Sequence, residues 1–377
     1  MDYSQQALQR HKELKGKISV TLKDKLDTRD KLSIYYTPGV GAVSSYVAEH
    51  PDETRDYTWT NNSVAVVSDG SAVLGLGNIG PEGALPVMEG KAMLFKHFAD
   101  IDAVPVVLNV HSADEIVATV KAISPSYGGI NLEDIAAPLC FEVEDRLKAE
   151  LDIPVFHDDQ HGTAIVVLAG LINAMKVIGK QLKDTKIVVV GAGAAGTAII
   201  RLIHLYASPN ILALDSRGII SSGRQDLNAE KKKLLEFTNP SDEDGTLNDA
   251  MNGADIFIGV SKAGLVTPEM IKNMASNPII FAMANPTPEI MPDLAKSAGA
   301  AIVATGRSDF PNQVNNSLAF PGIFRGALDN RVTRITDQHK LKVAEVIASL
   351  VDNPSPDVII PSNLDDRLVP AIAKVIV

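Results

Sequence analysis

One cysteine, Cys140, and one tryptophan, Trp59, stand among 377 residues. A single cysteine closes no internal disulfide, so the chain is not built on an oxidised secreted framework. Cys140 reads as a small buried apolar residue. Basic residues are also short: 35 Lys+Arg face 46 Asp+Glu, a net charge of −11. That field repels a phosphate backbone or an anionic bilayer, so neither nucleic acid nor membrane is an expected partner. A small anion is not excluded, because it meets a local pocket rather than the whole surface. Long apolar runs are lacking too. The most apolar stretch, 163–178, is broken by Asn173 and Lys176. It is expected to be too short to span a bilayer and to form a buried helix. Residues 1–20 carry Lys12, Glu13, Lys15 and Lys17 and no apolar block, which is not a signal-peptide pattern. The expected location is the cytoplasm.

What is present is an ordinary globular composition, 45% hydrophobic and 21% charged, which argues against long disorder. The length suggests two domains. Residues 1–50 read as helical and polar. From Val64 onward, short β-rich runs alternate with helical stretches. Strands are expected at 63–68, 103–110, 130–132, 154–156, 186–190, 211–214, 256–260, 278–282 and 301–304. Helices are expected at 113–123, 138–151, 162–179, 337–352 and 365–376. This alternation predicts an α/β fold of two domains, each with a mainly parallel sheet flanked by helices. The expected division is 1–160, a substrate domain, and 161–377, a Rossmann-type dinucleotide domain with C-terminal helices.

The second assignment rests on Gly191-Ala192-Gly193-Ala194-Ala195-Gly196, which directly follows the strand at 186–190. A helix comes next, then a strand ending in Asp215. The first glycine makes the tight turn, the second admits a pyrophosphate, and the third lets helix and strand pack. The helix N-terminus offers free N–H groups to the phosphates. Asp215 stands where an acid accepts hydrogen bonds from the adenosine ribose, which favours NAD. Arg217, two residues on, leaves NADP open. Gly75-Leu76-Gly77-Asn78-Ile79-Gly80 matches the same pattern, but Pro81 follows and no second strand ends in an acid. It reads as a glycine-rich turn near the substrate.

Ligands of open α/β sheets bind beyond the carboxyl ends of the strands. Glu133 and Asp134 follow one predicted strand there, Asp158 and Asp159 another, and Asn285 a third. Carboxylates gathered in one crevice repel each other unless a cation neutralises them. Oxygen ligands suit Mg²⁺ or Mn²⁺, and the lack of cysteines argues against zinc. His157 and His161 flank the acidic pair and read as polar residues at a helix start. Lys91, Tyr36 and Asn316 carry useful chemistry, but each alone reads as an ordinary surface, packing or turn residue.

Together these segments resemble malic enzymes of the short bacterial form. The resemblance rests on 35–41 (Tyr-Tyr-Thr-Pro-Gly-Val-Gly), 68–80, 89–91 (Glu-Gly-Lys), 131–134 (Asn-Leu-Glu-Asp) and 157–163 (His-Asp-Asp-Gln-His-Gly-Thr). Residues 284–286, 305–309 and 312–317 complete it. It implies oxidative decarboxylation of L-malate to pyruvate and CO₂ with reduction of NAD or NADP. By the same resemblance Glu133, Asp134 and Asp159 are metal ligands, Lys91 the general base and Tyr36 the general acid. Asp158 tunes the lysine, and Asn285 and Asn316 bind substrate. The family's carboxylate-clamping arginine has no counterpart, since Ala72 stands there. Asn285, Asn316 and the backbone of the turn that holds Gly75 and Gly77 are expected to replace it. Rival readings are a malolactic reaction, an amino-acid dehydrogenase and a non-enzymatic NAD-sensing protein. A homodimer is expected, with the N-terminal helices able to carry Tyr36 toward a partner's site.

Overall fold

The computed structural model describes residues 3–377. Three helices, α1 (Tyr3–Leu14), α2 (Arg29–Tyr35) and α3 (Gly39–Glu49), form an N-terminal arm, and none of them buries a residue. A short α4 (Thr54–Tyr57) leads to the first sheet. Its strands are β1 (Ser63–Ser68), β2 (Asp102–Val107), β3 (Gly129–Leu132) and β4 (Val155–His157), in the order β2-β1-β3-β4 and all parallel. Between them run α5 (Gly80–Ala99), α6 (Ala113–Ile123) and α7 (Leu139–Glu150). Only the edge strand β2 is half-buried throughout, and it tolerates Pro105 because an edge needs fewer donors.

The helix α8 (Asp158–Ile178) joins the halves. It has 21 residues, so the expectation that this stretch is too short for a membrane does not hold on length. Its burial decides the matter: the apolar side chains from Ala164 to Leu171 are enclosed by the protein itself. Asn173, fully buried on the same helix, donates to the carbonyls of Ala348 and Ile359 at 2.8 and 3.0 Å and so ties down the C-terminal segment.

The second sheet contains β5 (Lys186–Val190), β6 (Asn210–Asp215), β7 (Gly218–Ile219), β8 (Ile256–Gly259), β9 (Ile279–Ala282) and β10 (Ile302–Thr305). The order is β10-β9-β8-β5-β6-β7, parallel except for β7. β5 at the centre with neighbours on both sides is the doubly wound arrangement that opens a crevice at the strand ends. Around it lie α9 (Ala194–Ala207), α10 (Ala229–Leu234), α11 (Leu247–Met251), α12 (Pro268–Lys272) and α13 (Pro292–Ser297).

The chain closes with α14 (Phe320–Asp329), α15 (Asp337–Ser349) and α16 (Leu368–Ala373). α14 returns to the first sheet. Phe320 and Phe324 meet Phe95 of α5 edge-on at 4.6 and 5.3 Å, and Phe324 also meets Phe156 of β4. All four rings are buried, each contributing roughly 1.5–3 kcal/mol by removal from water. One apolar core therefore runs from β1 through α8 and α14 to the second sheet. It fixes the strand ends of both sheets against each other.

The arm departs from the polar reading of residues 1–50. Tyr3, Leu8, Leu22, Leu32, Ile34 and Tyr36 are all exposed on it. It is tethered where Lys17 crosses α5, donating from its backbone N–H to Glu89 Oε2 at 3.2 Å and from Nζ to the Pro86 carbonyl at 2.6 Å.

Candidate active site

Lys91 projects from α5 into the crevice, buried, with its Nζ 4.3 Å above the ring of Phe320. The Nζ stands 2.6 Å from Asp158 Oδ2 and 2.8 Å from Glu133 Oε1. Glu133 lies just past β3, and Asp158 and Asp159 begin α8, so parallel pairing of β3 with β4 sets them side by side. Asp134, at φ +55°, turns its N–H to Asp159 Oδ2 at 2.7 Å. One carboxylate oxygen each from Glu133, Asp134 and Asp159 lie within 4.8 Å of one another. Asn131 Nδ2 holds the other oxygen of Glu133 at 2.9 Å.

Burial raises all four carboxyl groups above their ordinary range. For Glu133 and Asp134 the repulsion from Asp159 adds to it, and Asp134 reaches about 8. Asp158 rises to about 6, because burial outweighs the Lys91 charge beside it. Burial opposes the Lys91 charge as well, but Asp158 and Glu133 outweigh it and hold the ammonium above its usual range. The buried Oδ2 of Asp134 has no hydrogen-bond partner among the described residues. An unpartnered buried carboxylate oxygen within an all-oxygen trio fits a hard divalent cation. His157 and His161 are not in that trio. His161 Nε2 instead lies 2.9 Å from Glu144 Oε2.

The glycine-rich turn at 74–80 belongs to this site. Ala72 N–H donates to the Asp134 carbonyl at 3.0 Å, which pins the turn to the carboxylates. A Cβ on Gly75 would lie 2.0 Å from the Asn285 carbonyl oxygen, so the turn touches the loop after β9 backbone to backbone. Gly77 pairs with Val73 across this turn, its carbonyl accepting the Val73 N–H at 3.0 Å. Asn316 is brought in by Gly162: a Cβ there would fall 1.9 Å from Asp158 Oδ1 and 3.0 Å from Asn316 Cβ. Lys91, Glu133, Asp134, Asp158, Asp159, Asn316 and the Gly75 turn with Asn285 thus share one crevice.

Tyr36 is not brought to it. It ends α2 on the arm, 67% exposed, and no hydrogen bond joins it to the cluster. Cys140 is fully buried, and burial pushes its thiol up to about 12, as suits an inert packing residue.

The second glycine turn caps α9. Gly191 has φ +111°, and a Cβ on Gly196 would strike the Gly191 carbonyl oxygen at 1.8 Å, whereas Gly193 faces open space. Gly193 is the N-cap and makes no side-chain cap bond, so the first N–H groups of α9, from Ala194 and Ala195 onward, point outward for a pyrophosphate. Asp215 at the end of β6 is less free than the sequence suggests. Arg224 grips both its oxygens at 2.8 and 3.0 Å, and Lys231 Nζ adds a 2.6 Å contact. Burial alone would raise this carboxyl, but the two cations hold it well below the carboxylate range. Arg217 points elsewhere, toward Asp226 at 3.2 Å. Arg224 and Lys231 were not foreseen, because no motif or periodicity links a loop cation to the acid it grips.

Glu289 was also missed. It is fully buried and accepts the N–H groups of Ser261, after β8, and Ala284, after β9, both at 3.0 Å. No cation pairs with it among the described residues, and burial raises its carboxyl. It holds together the two loops that flank the crevice.

Residues 15–148 match the malic enzyme N-terminal domain, and residues 160–374 match the malic enzyme NAD binding domain. The bifunctional malic/malolactic enzyme of Bacillus subtilis (strain 168) is 55% identical over 379 residues, spanning 100% of this chain and 92% of that protein. The NAD-dependent malic enzyme of Geobacillus stearothermophilus is 52% identical over 364 residues, 96% of this chain and 76% of its own length. The crystal structure of the NAD-dependent malic enzyme of Thermotoga maritima superposes with a TM-score of 0.95 at 50% identity, covering 98% of each chain. With two domain matches in order and close relatives over its whole length, this chain belongs to the malic enzyme family.

Proposed function

We propose that the enzyme oxidatively decarboxylates L-malate to pyruvate and CO₂, reducing NAD or NADP, with a divalent cation required. The observation that carries this reading is Lys91, buried between Asp158 and Glu133 at the edge of the carboxylate trio. We read residues 1–160 as the substrate domain and 161–377 as the dinucleotide domain with the C-terminal helices.

Glu133, Asp134 and Asp159 would hold Mn²⁺ or Mg²⁺, which supplies Lewis acidity toward the substrate's hydroxyl and carboxylate oxygens. Gly191, Gly193 and Gly196 would seat the dinucleotide, which supplies the hydride acceptor. Lys91 takes the proton of the C2 hydroxyl as C2 loses its hydride. For that it must first be neutral, and Asp158, 2.6 Å away, is the acceptor in contact. The C3–C4 bond of the resulting keto acid then breaks. CO₂ leaves, its bonding pair stays as an enolate, and Tyr36 returns a proton to C3. Asn316, Asn285 and the backbone of the turn that holds Gly75 and Gly77 orient the substrate carboxylates in place of an arginine at Ala72.

Tyr36 serves this role from a second copy of the chain. The arm buries nothing on its own chain and carries exposed apolar side chains, and Leu74, Leu76 and Leu85 on and beside the glycine-rich turn are exposed as well. Two copies exchanging arms across a two-fold axis would cover both surfaces.

Because Arg224 and Lys231 already neutralise Asp215, that acid does not exclude a 2′-phosphate, and both NAD and NADP serve. A malolactic outcome, lactate with the dinucleotide retained, is a second reading, favoured by the likeness to the bifunctional malic/malolactic enzyme of Bacillus subtilis. The deciding assay supplies malate and Mn²⁺ with NAD or NADP in parallel and measures pyruvate, lactate and reduced cofactor. Pyruvate matched one-to-one by reduced cofactor is expected. Lactate without net reduction supports the second reading, and no turnover with either nucleotide contradicts both.

A further inference from the structure

Away from the crevice, α8, α9 and α15 enclose a cavity of about 390 Å³, within the size range of small-molecule sites (roughly 300–1,000 Å³). None of the residues assigned to catalysis, metal or dinucleotide lines it. Its polar groups are Gln160 and His161 from α8, Thr197 and Arg201 from α9, and Asp337 and Lys340 from α15, and Phe237 forms an aromatic wall.

Most charges around it cancel in pairs. Lys340, buried, has its Nζ 2.9 Å from Asp337 Oδ1. Glu144, behind His161, is matched by Lys148 at 2.7 Å. Arg201 is the exception. It has no carboxylate within ion-pair distance among the described residues, and its guanidinium sits 5.9 Å from the centre of the Phe237 ring. The cavity therefore combines an exposed, unmatched cation with a flat apolar wall, while Gln160 and His161 are held by Glu144 at 3.3 and 2.9 Å. That is the chemistry of a site for a monoanion with an apolar body.

Its position gives such a ligand leverage. Gln160 and His161 follow Asp158 and Asp159 in the first turn of α8. Thr197 follows Gly196 in the first turn of α9. The same two helix starts carry the carboxylates and the pyrophosphate turn on one side and the cavity wall on the other. We propose that this cavity is a regulatory site for a small organic carboxylate with an apolar or aromatic body. Occupancy stiffens the α8 and α9 starts together and alters the affinity for malate or dinucleotide rather than the chemical step.

The test is calorimetric titration of the full-length protein with benzoate, in the presence of saturating malate, Mn²⁺ and the oxidised nucleotide left unreacted by the Lys91→Met variant. Benzamide is the uncharged control. Expected results are saturable benzoate binding, at least tenfold weaker binding of benzamide, and at least tenfold weaker benzoate binding in Arg201→Gln added to that background. In the otherwise wild-type enzyme, benzoate should shift the KM for malate or nucleotide at least twofold. Arg201→Gln alone should abolish that shift while its own kcat and KM stay unchanged. Leu205→Trp, at a half-exposed lining position, should block the cavity by filling it and gives a second variant. Absent binding, equal binding of benzamide, wild-type affinity in both variants, or displacement of benzoate by malate would each overturn the proposal. The calorimetric arm reads the cavity whether or not the catalytic reading holds.

Discussion

Lys91 Nζ and Asp158 Oδ2 lie 2.6 Å apart, with the Lys91 side chain 8% exposed and that of Asp158 wholly buried. Sixty-seven residues separate the pair in sequence, and the packing of α5 against the start of α8 joins them. Two opposite charges so enclosed make strong coupling unavoidable, and removing one leaves the other stranded. Lys91→Met should lower kcat/KM for malate by about 10³-fold, within the usual span for a general base. Dinucleotide binding, read by fluorescence titration, should be unchanged. A loss of less than tenfold would move the base to another residue.

The raised Asp134 carboxyl predicts a pH-dependent stability of the metal-free protein. An acid whose folded pKa is raised, here to about 8, keeps its proton in the fold after the unfolded chain has lost it. The fold therefore loses stability as pH rises between about 4 and 8. Thermal melts of chelator-treated protein should fall from pH 6 to pH 8. Added Mn²⁺ should restore more at pH 8 than at pH 6, because ligation requires the deprotonated acid. Asp134→Asn should flatten the pH dependence. An identical slope in that variant would detach it from Asp134.

The exchanged arm predicts complementation. Tyr36→Phe and Lys91→Met should each be nearly inactive alone. Unfolded together, refolded and mixed at random, they should regain about one quarter of wild-type activity, since half the dimers are mixed and each has one intact site. Mixtures that stay as inactive as their parents would place Tyr36 in its own chain's site.

The clamp on Asp215 makes a prediction about nucleotide choice. Lys231→Met removes a cation 2.6 Å from that carboxylate. The KM for NADP should rise about tenfold, equivalent to ~1.4 kcal/mol, while that for NAD changes little. An equal rise for both would assign Lys231 to the turn's stability.

Glu289→Gln tests the joint between the loops after β8 and β9. An amide offers one acceptor oxygen where the carboxylate offers two, so one of the Ser261 and Ala284 N–H groups loses its partner. The expected cost is about 1–3 kcal/mol of stability. The KM for nucleotide and malate should rise together, with the metal affinity unaltered. Wild-type KM values would confine Glu289 to a structural role.

What the sequence made legible was whatever local pattern encodes. Strand-then-glycine-turn spacing located Gly191, Gly193 and Gly196, and acids directly after strands located Glu133, Asp134, Asp158 and Asp159. Parallel pairing then had to bring these acids together, as the β3–β4 register does. Contacts across unrelated loops left no such trace. Arg224 and Lys231 reach Asp215 from nine and sixteen positions away, and Glu289 bonds two loops through backbone N–H groups that any residue would supply. Hydropathy misread the arm for a related reason. Its apolar residues are spaced among charges and look like a solvated face, yet the fold of one chain gives them nothing to pack against. β7, two residues long and antiparallel, is below what pattern reading can resolve.

The central claim is that Glu133, Asp134 and Asp159 hold a divalent cation beside Lys91. The most direct measurement is Mn²⁺ binding, followed by the loss of the free-ion electron paramagnetic resonance signal, in wild type and in Asp159→Asn at equal protein concentration. The account predicts one tight site per chain in the wild type. In the variant it predicts at least a hundredfold weaker binding, loss of Mn²⁺-dependent turnover and unchanged NAD binding. Wild-type Mn²⁺ affinity and turnover in Asp159→Asn would contradict it.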